Sequence, residues 1–83
     1  MKEFFVYVIK NPTNTLYTGI TKDIDRRIIE HNTGKGAKFT RGRGIWQIIH
    51  LEGPFKHGDA LRRELEIKRD RDLKDKLKVI MGN

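Results

Sequence analysis

Phe4-Phe5-Val6-Tyr7-Val8-Ile9, followed after a turn by Thr15-Leu16-Tyr17-Thr18-Gly19-Ile20, is the stretch that decides how this chain folds. The first run is almost unbroken in apolar residues and rich in Phe, Val and Ile, the pattern of a strand covered on both faces. Between the runs, Lys10-Asn11-Pro12-Thr13-Asn14 supplies turn chemistry, because Pro12 fixes its own φ and Asn14 tolerates φ > 0. The two runs are therefore expected to pair antiparallel as a hairpin with a longer loop. With a side-chain period of two, Phe5, Tyr7 and Ile9 share one face, and so do Thr15, Tyr17 and Gly19. Gly19 removes a side chain beside Tyr17 and would leave backbone open to a ligand.

A helix should follow from about Asp23, capped by Thr21 or Asp23 and ended by Gly34. At about 100° per residue with Ile24 at zero, Ile28 falls near 40°, His31 near 340° and Arg27 near 300°, while Arg26 falls near 200°. Ile24 and Ile28 thus press on the sheet with Arg27 and His31 beside them, and Arg26 points to water. Two tyrosines on neighbouring strands can then meet an arginine and a histidine on one small patch.

The glycine-rich stretch Gly34-Lys35-Gly36-Ala37-Lys38-Phe39-Thr40-Arg41-Gly42-Arg43-Gly44 reads as neither strand nor helix. No acidic residue stands between Glu30 and Glu52, so its four cations are unopposed locally. Lys35, Lys38, Arg41 and Arg43, with the Thr40 hydroxyl and exposed backbone N–H groups, suit phosphate contact, and Phe39 offers a stacking face. The alternative is a solvated surface loop.

Ile45-Trp46-Gln47-Ile48-Ile49-His50-Leu51 is expected as a third strand, broken by Gly53-Pro54. A helix from about Asp59 to Arg69 comes next. With Leu61 at zero, Leu65 lies at about 40°, Ala60 near 260° and Ile67 near 240°, and Glu64 near 300° falls inside the apolar arc. Glu66, at about 140°, points away. A carboxylate on a core-facing stripe needs a partner, a metal or a water-filled cleft. The local alternative is an i,i+4 ion pair with Lys68, which contributes only about 0.3–0.5 kcal/mol. Asp70 or Asp72 can start a last helix carrying Leu73, Leu77 and Ile80 on one stripe, a cover for the core. His50 and His57 form no ligand spacing with His31.

At 83 residues the chain reads as a single domain, 1–83, without repeats or a linker, and it supports one modest core. It has no cysteine, which excludes disulfides and thiolate zinc sites. Met1-Lys2-Glu3-Phe4-Phe5 lacks the apolar region of a signal peptide, and no run reaches bilayer-spanning length, so a soluble, cytoplasmic protein is the expectation. Eighteen Lys+Arg against 11 Asp+Glu give a net charge of +7 and a pI near 10.0. That balance makes a polyanion a candidate partner.

Taken together these residues resemble the GIY-YIG nuclease family, in particular its small stand-alone bacterial members. The first half-motif is met by Phe5-Val6-Tyr7, which keeps the tyrosine and departs at the glycine, and the second by Tyr17-Thr18-Gly19. Ile20-Thr21, Asp25-Arg26-Arg27 with His31-Asn32, Gly36 to Arg41, and Ala60-Leu61-Arg62-Arg63-Glu64 follow in order, so the resemblance covers nearly the whole chain. It implies an α/β (α+β sandwich) fold, the GIY-YIG fold: a three-stranded antiparallel sheet flanked by helices in the order β-β-α-β-α-α. It also implies metal-dependent hydrolysis of DNA phosphodiester bonds, in repair or recombination. By position, Tyr7 and Tyr17 match the motif tyrosines, Arg27 the helix arginine, His31 the aromatic or histidine position one turn later, and Glu64 the metal-binding glutamate. Ile20 stands where a repair nuclease subunit of the family carries lysine, and Phe39 where stand-alone relatives often show tyrosine.

On this reading Glu64 holds one Mg²⁺ or Mn²⁺, Arg27 stabilises charge on the phosphoryl oxygens, and Tyr17 with His31 relays the proton while Tyr7 positions water or phosphate. Ionising an unperturbed tyrosine at pH 7 would cost about 4 kcal/mol, whereas histidine is matched to neutral pH. The expected partner is DNA in branched, nicked or damaged form, with selectivity left to a protein partner or to weak intrinsic preference. The rival readings are a nucleic-acid-binding module that does not cleave or needs a partner, and an interaction subunit whose basic surface serves solubility.

Overall fold

In the computed structural model, which describes residues 2–80, the central strand is the apolar run that opened the sequence. Met1, part of the terminus read above as lacking an apolar leader, lies outside the described residues. The elements are β1 (Phe4–Lys10), β2 (Leu16–Thr21), α1 (Ile24–Asn32), a 3₁₀ turn at Lys38–Thr40, β3 (Gln47–Phe55), α2 (His57–Arg69) and α3 (Arg71–Lys78). The sheet has the order β2-β1-β3 with both pairings antiparallel, so this is an α+β fold of three strands and three helices, as expected.

β1 lies between two partners and is covered above and below, which is why its sequence does not alternate. Val6 and Val8 pack with Ala60, Ile67 and Leu77 on the face carrying α2 and α3. Tyr7 and Ile9 pack with Trp46, Ile24, Ile28 and Tyr17 on the face carrying α1. Each such side chain contributes about 1.5–3 kcal/mol by leaving water.

Local chemistry sets the boundaries. Asn14 takes φ 67° in the β1–β2 turn, and the buried Asn11 ties that turn together by accepting from the Thr15 N–H at 2.8 Å. Asp23 caps α1 through the Arg26 N–H at 3.1 Å. Asp70 caps α3 through the Leu73 N–H at 3.0 Å.

Three expectations are corrected. β3 does not break at Gly53-Pro54 but continues to Phe55. It is an edge strand, where proline removes no ladder bond, and the pairing with β1 shifts register between Phe4 and Val6, so the Gly-Pro step falls in a bulge. On α2, Leu61 and Leu65 are about half exposed while Ala60 and Ile67 are fully buried. The helix is rolled from the orientation its leucines suggested, because Arg63 grips Glu52 of β3 with bonds of 2.6 and 2.9 Å. Ile80, expected on the last core stripe, lies beyond α3 and is 40% exposed.

The basic stretch is also more ordered than its composition implied. Asn32 accepts from the Trp46 N–H at 2.6 Å and donates to the Trp46 carbonyl at 3.1 Å, closing the neck of the loop. The buried Trp46 indole donates to the Thr40 carbonyl at 3.0 Å, and the Asn11 amide donates to the Arg43 carbonyl at 2.9 Å. No helix among the described residues is long and apolar enough to cross a membrane.

Candidate active site

The site grows from Tyr7, whose cross-strand partner on β2 is Gly19. A Cβ at Gly19 would stand 2.6 Å from the Tyr7 hydroxyl, so glycine is needed there for the phenol to lie across the edge strand. The space expected to admit a ligand beside Tyr17 is thus filled by Tyr7. From the other side, α1 sends down two side chains. Arg27 is directed at the sheet and donates from Nε to the Tyr7 hydroxyl at 3.3 Å. Arg26 is 77% exposed against 29% for Arg27, the difference that helical periodicity predicts.

His31 is fully buried, with both ring nitrogens engaged. Nε2 lies 2.7 Å from the Tyr7 hydroxyl and Nδ1 2.7 Å from the Thr40 hydroxyl. Thr40 Oγ1 gives its single proton to the Ala37 carbonyl at 2.9 Å, so towards His31 it can only accept. That assigns the proton of the neutral imidazole to Nδ1 and leaves Nε2 as the acceptor for the Tyr7 O–H. Gly36 closes over the same ring, since a Cβ there would approach Nδ1 to 2.6 Å.

The electrostatics follow from this packing. Burial pushes the Tyr7 phenol up to about 12, the Arg27 hydrogen bond opposing the rise. Burial, reinforced by the Arg27 charge, pulls His31 below its ordinary value, so it is neutral at pH 7. Glu30, bonded to Arg27 at 3.0 Å, holds the guanidinium in place, and its own carboxyl is held below the usual range by that contact.

Tyr17 stands beside this chain of bonds. Its ring centroid is 5.1 Å from that of His31, 6.4 Å from Tyr7 and 6.0 Å from Phe39, against which it stacks. The histidine is thus hydrogen-bonded to Tyr7 and not to Tyr17, which lines an open cleft. Thr40, expected to donate to phosphate, is fully buried and has its hydroxyl committed to Ala37 and His31. Lys35, Lys38, Arg41 and Arg43 are exposed, and Arg43 lies over the Phe39 ring at 4.8 Å.

Glu64 approaches on another element. α2 packs on the opposite face of the sheet from α1 and runs against β2 as well as β1. The Glu64 side chain is 19% exposed and paired with Lys68 at 3.2 Å. It reaches the cluster by its field, the negative charge adding to the rise in the Tyr7 pKa. Tyr7, Arg27 and His31 are thus joined by hydrogen bonds with the Tyr17 ring packed beside them, and Glu64 lies on α2, bonded to Lys68 and to none of the four.

Among the described residues no three His, Cys, Asp or Glu side chains converge as a metal cage. A lone half-buried carboxylate fits Mg²⁺ or Mn²⁺, which keep most of their waters and take one or two protein carboxylates, and does not fit zinc.

Sequence reasoning missed one polar cluster. Arg63 bonds both oxygens of Glu52, His50 Nε2 lies 2.6 Å from Glu52 Oε2, and Arg63 also reaches Glu66 at 3.2 Å. The Arg63 bonds hold the Glu52 carboxyl down at about 2. This cluster orients the helix that carries Glu64. The signal was the acidic Glu52 among apolar strand residues.

A family profile described as the GIY-YIG catalytic domain matches residues 3–77 of the chain. A UPF0213 protein of Haloquadratum walsbyi is 48% identical over 64 residues, 77% of this chain and 72% of that protein. One from Staphylococcus epidermidis is 44% identical over 68 residues, 82% of this chain and 83% of that protein. The solution NMR structure of a UPF0213 protein from Bacillus halodurans superposes with a TM-score of 0.52 at 40% identity, covering 96% of this chain and 86% of that one.

Proposed function

This chain belongs to the GIY-YIG catalytic domain family, a family of nucleases, and from that premise we propose that it is a metal-dependent endonuclease cutting DNA phosphodiester bonds. The observation that carries the reading is the Tyr7 hydroxyl, held between the acceptor Nε2 of a neutral His31 and the donor Nε of Arg27.

The proton relay follows from those bonds. A water set against Tyr7 passes its proton to the phenolic oxygen as the phenolic proton passes to His31 Nε2. Tyr7 never stands alone as phenolate, which its raised pKa would make costly. Burial and, after it, the Arg27 charge depress the basicity of His31 in the free protein. A phosphate accepting from Arg27 offsets that positive charge, so the imidazole becomes a stronger base as substrate arrives. The same guanidinium then stabilises charge developing on the phosphoryl oxygens. Glu64 is the residue to hold a single Mg²⁺ or Mn²⁺, which when bound supplies Lewis-acid stabilisation of the phosphoryl group. Tyr17, whose hydroxyl makes no hydrogen bond among the described residues, orients water or phosphate from the cleft side. Lys35, Lys38, Arg41 and Arg43 bind the flanking phosphates.

One observation favours a second reading, a nucleic-acid-binding module that does not cleave: Glu64 already has a cation partner in Lys68. A nicking assay on supercoiled and branched DNA with Mn²⁺ or Mg²⁺ separates the two. Cleavage lost in both Arg27→Ala and Glu64→Ala supports the nuclease. Cleavage surviving both substitutions, or absent from the unmodified protein with either metal, refutes it.

A further inference from the structure

A cleft of about 640 Å³ opens along the free edge of β2, outside the Tyr7–His31–Arg27 cluster. One wall is aromatic, formed by Tyr17 and Phe39. The other is cationic, formed by Lys68 of α2 and by Lys74 and Lys78 of α3. Among the described residues no acidic side chain lines it. Lys74 and Lys78 lie four residues apart, about 6 Å along one side of α3, and among the described residues neither makes an ion pair, unlike Lys68, which is paired with Glu64. At the rim Arg43 rests on Phe39, so the basic loop and the cleft form one continuous path past Tyr17.

We propose that this cleft holds a single strand of nucleic acid leading away from the cut phosphate, its phosphates on Lys68, Lys74 and Lys78 and its bases against Tyr17 and Phe39. The inference rests on the nuclease reading and gives that substrate a direction and a form. A duplex needs only a flat basic face for its backbone. A concave site with cations on one side and aromatic rings on the other matches unpaired nucleotides, whose bases are free to stack. The volume lies in the range of sites that enclose a few ligand groups, about 300–1,000 Å³. Strand recognition here draws on α3, a helix that otherwise only covers the core.

The experiment measures binding of fluorescein-labelled oligothymidine, and of a duplex of equal length, by fluorescence anisotropy from low to high salt. The proteins are the full chain, the Lys74→Ala/Lys78→Ala double variant and the charge-keeping Lys74→Arg/Lys78→Arg pair, each with its thermal melt. Removing two strand contacts is expected to weaken oligothymidine binding about tenfold and to lower the salt slope by about 1.4, with duplex binding much less affected. The arginine pair should restore both. Unchanged affinity and slope in the alanine variant, equal losses for duplex and strand, or no strand binding by the unmodified protein would each overturn the proposal. Metal-dependent nicking by the same proteins and by Arg27→Ala keeps the two readings apart. Strand binding that depends on the lysines, in a protein that never nicks, removes the nuclease and leaves the cleft. Nicking abolished by Arg27→Ala beside lysine-independent strand binding removes the cleft and leaves the nuclease.

Discussion

Replacing Thr40 by valine isolates the contact that sets the proton position on His31. Valine has nearly the same shape but no oxygen, so His31 Nδ1–H loses the acceptor it has among the described residues and the Ala37 carbonyl loses a donor, in a place where Thr40 has no exposure to water. A buried donor left unmatched costs about 1–3 kcal/mol. In a domain of this size each kcal/mol lowers Tm by roughly 4–8 °C. The imidazole can partly escape by moving its proton to Nε2, which would turn its nitrogen from acceptor to donor towards Tyr7 and abolish the relay. Positioned general bases contribute about 10²–10⁴ in rate, and nicking should fall by at least the lower figure. The readouts are a thermal melt, the ¹⁵N shifts of the His31 ring, which distinguish the tautomers, and the nicking rate. Thr40→Ser keeps both hydrogen bonds and should retain the Nδ1–H form with only a packing loss. An unchanged ring tautomer and melt in Thr40→Val, or a Thr40→Ser protein as impaired in nicking as Thr40→Val, would refute the reasoning.

Further outcomes follow from the same geometry. Because burial lowers the folded-state pKa of His31, the unfolded chain binds the proton more readily; stability should be full above about pH 6.5 and fall as pH drops through that value, with a slope no steeper than about 1.4 kcal/mol per pH unit, a dependence that His31→Gln should remove in pH-resolved melts. Glu52 has the opposite ordering of charge but the same direction: its contribution is present above its ordinary value of 4.5 and is lost as pH falls towards about 2. After allowance for screening by water, Glu52→Gln should cost about 1–2 kcal/mol at neutral pH in urea titration, with the acid-side dependence flattened. Gly19→Ala puts a methyl group against the Tyr7 hydroxyl and should shift the phenol out of reach of His31, visible as a loss of nicking larger than the drop in Tm.

Much of the fold was legible because its signals are local. The unbroken run in β1, the turn at Asn11–Asn14 and the cap at Asp23 each act within a few residues, and the helical period separates Arg27 from Arg26 with no knowledge of the sheet. The features that were not legible depend on distant partners. Leu61 and Leu65 look like the buried stripe of α2 until Arg63 meets Glu52 across eleven positions and rolls Ala60 and Ile67 inward. Gly53-Pro54 reads as a stop unless β3 is known to be an edge strand. Thr40 looks like a surface donor because nothing nearby in sequence announces that Trp46 and His31 will close over its hydroxyl. At the site, that Tyr7 and not Tyr17 bonds His31 turns on which phenol lies over Gly19, a matter of strand register that residue types do not encode.

The Asn32–Trp46 clasp has a bearing on binding heat. A cationic loop that had to settle onto its target would register that ordering as an unfavourable entropy at the moment of contact. Cinched at its neck, this one has met most of that cost during folding, so calorimetry should find association governed by released counterions, and opening the clasp with Asn32→Ala should weaken binding through entropy while leaving every cation in the chain.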